Sequence, residues 1–145
     1  MAMRAVGLTG SLLTMAAVAG CAASPALYRL DAYALPFPGL GGGMRAEAMR
    51  TPEGWTVTQT TIARRPRSST RRLSVDDGVA LDVALASPRL YEPPVPINEG
   101  CIDPDSVSLE VEATGVRRKL FLSCSESPGM DAVLGILFET ENSPH

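Results

Sequence analysis

From Met44 onward, hydrophobic and polar positions alternate with a period of two rather than 3.6. Met44, Ala46 and Ala48 alternate with Arg45, Glu47 and Met49. Thr51-Pro52-Glu53-Gly54 then reads as a turn, with Pro suited to position i+1 and Gly to i+3. Trp55 to Ile62 follows, rich in the Thr, Val and Trp that strands favour. Further on, Leu73 and Val75 share one parity, as do Val79, Leu81, Val83 and Leu85. A three-residue loop, Asp76-Asp77-Gly78, would pair Val75 with Val79 and Leu73 with Leu81. It would place Gly78 in the left-handed conformation and set Arg72 opposite Asp82.

A second hairpin is expected at Thr114-Gly115. A two-residue loop there pairs Leu109 with Leu120 and Val107 with Leu122 on one face. On the other face, Glu110 meets Lys119 and Glu112 meets Arg117, opposite charges that stabilise a cross-strand pair by roughly 0.2–1 kcal/mol each. Asp105 falls opposite Cys124 in the same register. Asp131 to Thr140 is apolar on both parities. It is either a strand covered on both faces or a short buried helix, and Gly135 with the β-branched residues favours a strand. The fold class expected is all-β: a small antiparallel meander closing into a sandwich or barrel.

The first twenty residues follow a different logic. Arg4 supplies a positive start and Val6 to Ala19 is largely apolar, a stretch short for a permanent span. Val18-Ala19-Gly20-Cys21 resembles the lipobox of bacterial lipoproteins. That resemblance implies cleavage before Cys21 and lipidation of its sulfur. Several acyl chains on one residue exceed the two-signal threshold for stable anchoring. The alternatives are an ordinary secretory signal cut near Ala23, or an uncleaved anchor. Ala22, in place of Asp, implies the outer membrane by analogy with Gram-negative lipoproteins. Ser24-Pro25-Ala26-Leu27-Tyr28-Arg29-Leu30-Asp31 resembles the mature start of auxiliary lipoproteins of ABC-type lipid transporters, which implies a place beside a transport complex. The organisation expected is a signal peptide at 1–20, a lipidated tether at 21–43 with a strand around Leu27–Ala34, and a β-rich domain at 44–145.

Composition narrows the chemistry. The net charge of −3 argues against a nucleic-acid-coating protein. The lone histidine, His145, argues against a His-based triad or a two-histidine metal site. Asp76-Asp77 and Asp103-Pro104-Asp105 are close carboxylate pairs without the ligand count of a calcium loop. No phosphate-binding motif follows a strand. No enzyme activity, cofactor or metal is therefore expected. With Cys21 assigned to lipid, Cys101 and Cys124 remain as a pair in an oxidising compartment, and a disulfide between them is expected.

Two loops are candidates for binding. Arg64, Arg65, Arg67, Arg71 and Arg72 fall in a Pro- and Ser-containing segment. It suits an anionic partner, such as lipid headgroups, lipopolysaccharide phosphates or an acidic protein patch; a merely solvated loop is the plain alternative. Arg72 is set aside because of its expected pairing with Asp82, leaving Arg64, Arg65 and Arg67 as the leading residues. The Pro-rich stretch Ser87 to Pro104 offers Arg89, Tyr91 and Ile97 as contact groups, or is simply a crossover covering the sheet. The functional expectation is a lipid-anchored envelope protein with a small binding or structural accessory domain. The alternatives are a periplasmic inhibitor of an envelope hydrolase and an auxiliary lipoprotein of a transport complex.

Overall fold

A computed structural model describes residues 28–35, 42–97, 101 and 106–139. The proposed signal peptide, Cys21 and Asp105 lie outside the described residues. The elements in order are β1 (Tyr28–Leu35), β2 (Gly43–Thr51), β3 (Gly54–Ile62), β4 (Ser68–Arg72), α1 (Val75–Ala86), a 3₁₀ turn (Pro88–Tyr91), β5 (Val95–Pro96), β6 (Ser106–Ala113), β7 (Val116–Ser123), β8 (Ser125–Glu126) and α2 (Pro128–Phe138). Six strands form one antiparallel sheet in the order β4-β3-β2-β1-β6-β7, and β5 pairs with β8 in a small second ladder.

The fold is dominated by antiparallel strands and carries a disulfide between Cys101 and Cys124, Cα to Cα 5.6 Å. The main sheet does not close on itself. It stays open, with β4 and β7 as its edges, and α1 and α2 cover one face in place of a second sheet. The alternation along each strand explains that layering. Leu30, Ala32, Ala46, Ala48, Trp55, Val57, Leu109 and Val111 are buried with Leu81, Leu85, Met130, Val133 and Leu137 of the helices. Leu30 pairs with Ala48, and Ala32 with Ala46. Small side chains at the centre of the sheet let a helix layer come close. Their neighbours Arg29, Asp31, Arg45 and Glu47 occupy the other face.

The Thr114-Gly115 hairpin has the expected register. Leu109 pairs with Leu120, Val107 with Leu122, Glu110 with Lys119 and Glu112 with Arg117. Thr114 and Gly115 have φ of 49° and 78°, as a two-residue loop of the I′ kind requires. The turn between β2 and β3 also falls where expected, with Thr51 opposite Gly54 and Gly54 at φ 120°.

Three expectations are corrected. The hairpin at Asp76-Asp77-Gly78 does not form, because Val75–Ala86 is helical and Gly78 has no positive φ. Ser74 caps that helix: its hydroxyl oxygen accepts the Asp77 N–H at 3.0 Å, and Asp76 and Asp77 face the positive end of the helix dipole. Within the apparent period of two, Leu81 and Leu85 are four apart and buried, whereas Val79 and Val83 face solvent. The segment favoured as a strand at 131–140 belongs to α2 as far as Phe138. Ser127 caps it and Pro128 occupies the first turn, where a missing N–H costs nothing. Finally, the boundary at residue 44 is too late. The strand expected around Leu27–Ala34 is β1, paired with β2 on one side and β6 on the other, in the middle of the sheet.

Candidate functional site

β1 and β3 both pair antiparallel with β2 and so run the same way. Tyr28 and Trp55 therefore lie at one end of the sheet, and Leu35 and Ile62 at the other. At about 3.3 Å per residue, the nine residues of β3 separate the two ends by roughly 30 Å.

The arginine loop occupies the far end, between β3 and β4. It is closed by the Thr61 N–H donating to the Arg67 carbonyl at 2.8 Å, and by the Arg67 N–H donating to Thr61 Oγ1 at 2.9 Å. Every residue from Thr61 to Thr70 is exposed. Among the described residues, Arg64, Arg65 and Arg67 form no salt bridge. The five arginines thus separate into two groups. Arg71 lies on the helix side and donates to the Ile136 carbonyl at 2.6 Å, while Gln59 donates to the Leu137 carbonyl at 2.6 Å. Together they satisfy carbonyls that the last turn of α2 leaves open. Arg72 pairs with Thr56 on the opposite face. It does not meet Asp82, because Asp82 sits on α1 above the helix side of the sheet. Beside the loop, an apolar cleft of about 440 Å³ is lined by Ala34, Met44, Ile62, Ala63 and Val107 among others.

The near end is tied down. Arg50 donates from Nε and Nη2 to the two Asp82 oxygens at 2.8 and 2.9 Å, and Trp55 Nε1 donates to Asp82 Oδ1 at 2.9 Å. The Tyr28 ring stacks on Trp55 with centroids 6.1 Å apart. Partial burial pushes the Asp82 carboxyl up, but the hydrogen bonds from Arg50 and Trp55 outweigh it and hold the group below its ordinary value. The hydrogen bond to Asp82 in turn raises the Arg50 guanidinium. This is a clamp between α1 and the sheet, in which both Asp82 oxygens are engaged by Arg50 and Trp55.

The Pro-rich stretch is bound to the body along its first part. Leu90 is buried, the Tyr91 hydroxyl donates to the Leu85 carbonyl at 3.3 Å, and the Arg118 guanidinium lies 4.6 Å from the Tyr91 ring centroid. Burial pushes the Tyr91 phenol up. The Ile97 N–H donates to the Cys124 carbonyl at 2.8 Å, leaving its side chain exposed. Arg89 is exposed beside them. Of the three contact groups read from this stretch, Tyr91 is committed to packing, and Arg89 and Ile97 remain at the surface.

The open face of the sheet carries an ion-pair ladder. Arg45 bridges Asp31 at 2.7 Å and Glu47 at 3.0 Å, and Arg117 bridges Glu110 and Glu112, each at 3.1 Å. Among the described residues, no three His, Cys, Asp or Glu side chains gather as a metal site, and no described helix is long and apolar enough to cross a membrane. No family model matches the chain, and neither a curated protein nor a solved structure matches it.

Proposed function

We propose that the chain is a lipid-anchored lipoprotein of the bacterial cell envelope whose small domain is a binding or structural accessory module. Lipid on Cys21 holds it to a membrane, and Arg64, Arg65 and Arg67 meet an anionic partner. The observation that carries this reading is the position of the three arginines, exposed and, among the described residues, without salt bridges, at the end of the sheet remote from Tyr28. Only six residues separate Cys21 from Tyr28, about 23 Å when fully extended. With the sheet upright, the loop points away from the anchoring leaflet. Its partner is then an acidic surface across the envelope space, of which an acidic protein patch is the nearest kind. This refines the choice between anionic lipid and envelope protein in favour of the protein.

The test uses the chain from Ala22 onward, which contains every described element. Its binding to polyglutamate and to phosphatidylglycerol vesicles is measured at low and high salt. Binding to polyglutamate should weaken as salt rises, because exposed charges are screened within about 8 Å at physiological ionic strength. Replacing Arg64, Arg65 and Arg67 together by Gln should remove most of the salt-dependent part. Equal binding by parent and triple variant would reduce the loop to a solvated connector. The anchor is tested separately: Cys21→Ser should abolish acyl labelling and leave precursor unprocessed, and normal processing without label would make this a secreted protein.

A further inference from the structure

The outer surface of α1 carries little charge. Val75, Val79 and Val83 are 83%, 56% and 65% exposed. They fall at i, i+4 and i+8, one above the other on α1. Ala80 and Ala86 are the neighbouring exposed residues, and Asp76 is the sole charged side chain among the exposed residues of this helix. Asp77 is held by Ser74, and Asp82 by Arg50 and Trp55. Neither α1 nor α2 contains a lysine or arginine. A helix at a protein surface normally turns charged and polar residues outward. Here α1 turns a row of valines outward instead, while Asp131 of α2 is exposed and the open face of the sheet carries the ion pairs of Arg45 and Arg117.

We propose that this face receives a second copy of this chain, with the two α1 helices packed antiparallel, Val79 on the two-fold axis and Val75 against Val83 of the second copy. The stripe is its own complement under such an axis, since Val79 stands four residues from each of the other valines. A two-fold contact needs that self-complementarity. The antiparallel arrangement opposes the two helix dipoles. It keeps the Asp76 carboxylates of the two copies off the axis, about 9 Å apart along the helix at 1.5 Å per residue. A lipid surface is the weaker occupant. Helices that lie on membranes carry Lys or Arg on the polar face and Trp, Phe or Leu on the apolar one. Here α1 offers acids and valines.

The course of the helices sets the direction of the axis. α1 begins over β3, where Gly78 lies against Trp55, and leads to the 3₁₀ turn, where Tyr91 meets Arg118 of β7. α2 begins against that turn at Gly129 and ends over Gln59 and Arg71 of β3 and β4. Both helices thus run across the strands. An axis that reverses α1 within the interface runs along the strands, so both Tyr28 ends leave the dimer on one side and both arginine loops on the other. Two copies anchored in one leaflet can form this contact, although the inference does not rest on the anchor. A helix of 12 residues is about 18 Å long. The contact is thus smaller than the roughly 1,600 Å² of standard interfaces, and the dimer is weak and favoured by local concentration.

The chain from Ala22 onward tests this directly, because Cys101 and Cys124 are joined and an introduced thiol is the only free one. Sedimentation equilibrium should show reversible dimers below about 1 mM, the weak end of specific association. Val79→Lys, which sets like charges on the axis, should give a monomer with the parent's thermal midpoint. Helices at 8–10 Å bring facing Cα atoms within disulfide reach. Under oxidation Val79→Cys should therefore cross-link to itself. Val75→Cys and Val83→Cys should cross-link poorly alone and readily when mixed. A monomeric parent at about 1 mM, or self-linking of Val75→Cys as fast as that of Val79→Cys, would overturn the proposal. So would co-sedimentation of the parent with phosphatidylcholine vesicles that Val79→Lys abolishes, which would make a membrane the occupant.

Discussion

Three side chains show how one position decides what a residue does. Gly78 sits in the first turns of α1 with an ordinary helical conformation, and a Cβ there would meet Trp55 Cδ1 at 3.5 Å, a normal contact. Gly78→Ala should therefore stabilise the protein by about 0.5–1 kcal/mol in urea unfolding, since a helix-interior glycine carries an entropic cost that alanine lacks. Gly129 is the opposite case. A Cβ at Gly129 would stand 2.6 Å from the Arg89 carbonyl oxygen and the Leu90 Cα, both backbone atoms. Gly129→Ala should cost about 1–3 kcal/mol by the same assay, as overpacked sites do. Asp82 supplies the pH dependence. Its folded pKa lies below its unfolded one, so its contribution is present above the ordinary carboxylate range and is lost as pH falls through the folded value. The stability gap between parent and Asp82→Asn should thus be full at neutral pH and shrink below about pH 4, the ordinary Asp value. A gap that stays constant to pH 3 would show that the clamp acts by shape alone.

At the scale of elements, the two hairpin readings differ in how much local chemistry supported them. For β6 and β7, turn residues, apolar pairs and opposite charges all gave one register, and that register is observed. For Leu73–Leu85, the odd-numbered apolar residues fit a strand, but Ser74-Val75-Asp76-Asp77 is also a helix start, and three alanines follow within α1. The cap tips the balance together with the sheet beneath, which buries Leu81 and Leu85 only if they lie on one helical face. Ser74→Ala should cost about 1 kcal/mol, the usual effect of losing a side-chain cap, with no change at the other helix. Amide exchange resolved along the chain would check this: faster exchange confined to the first turn of α1 is the expected outcome.

Across the whole molecule, β1 is the element on which the rest depends. It joins the β2–β4 meander to the β6–β7 hairpin, and both halves pair with it along its length. A chain beginning at residue 44 would expose facing edges of β2 and β6 and lose the buried Leu30 and Ala32. It should remain unfolded by near-ultraviolet circular dichroism, whereas a chain beginning at Ala22 should fold. The disulfide closes a separation of 23 residues. Its reduction should cost about 3 kcal/mol by the loop-entropy argument.

Local patterns alone determined the antiparallel character of the strands and the turns at Pro52-Glu53 and Thr114-Gly115, each decided by residues close in sequence. The pairing of Cys101 with Cys124 follows once Cys21 is set aside for lipid, which leaves two cysteines, and the bridge is observed. What depended on contacts distant in sequence was left to the tertiary structure. An alternating run such as Val79, Leu81, Val83 and Leu85 satisfies a strand and half of a helix equally, until one apolar face meets it. The centre of the sheet was set by Tyr28–Leu35, a short segment amid Pro and Gly whose two partners both follow it in the chain, β2 directly and β6 only after α1. The arginine cluster was visible as composition. Its division into free loop residues and the α2-capping Arg71 follows only from the two-sidedness of the sheet, which gives adjacent residues of β4 opposite surroundings. The valine stripe became visible as a surface only once Leu81 and Leu85 had taken the inner face of α1.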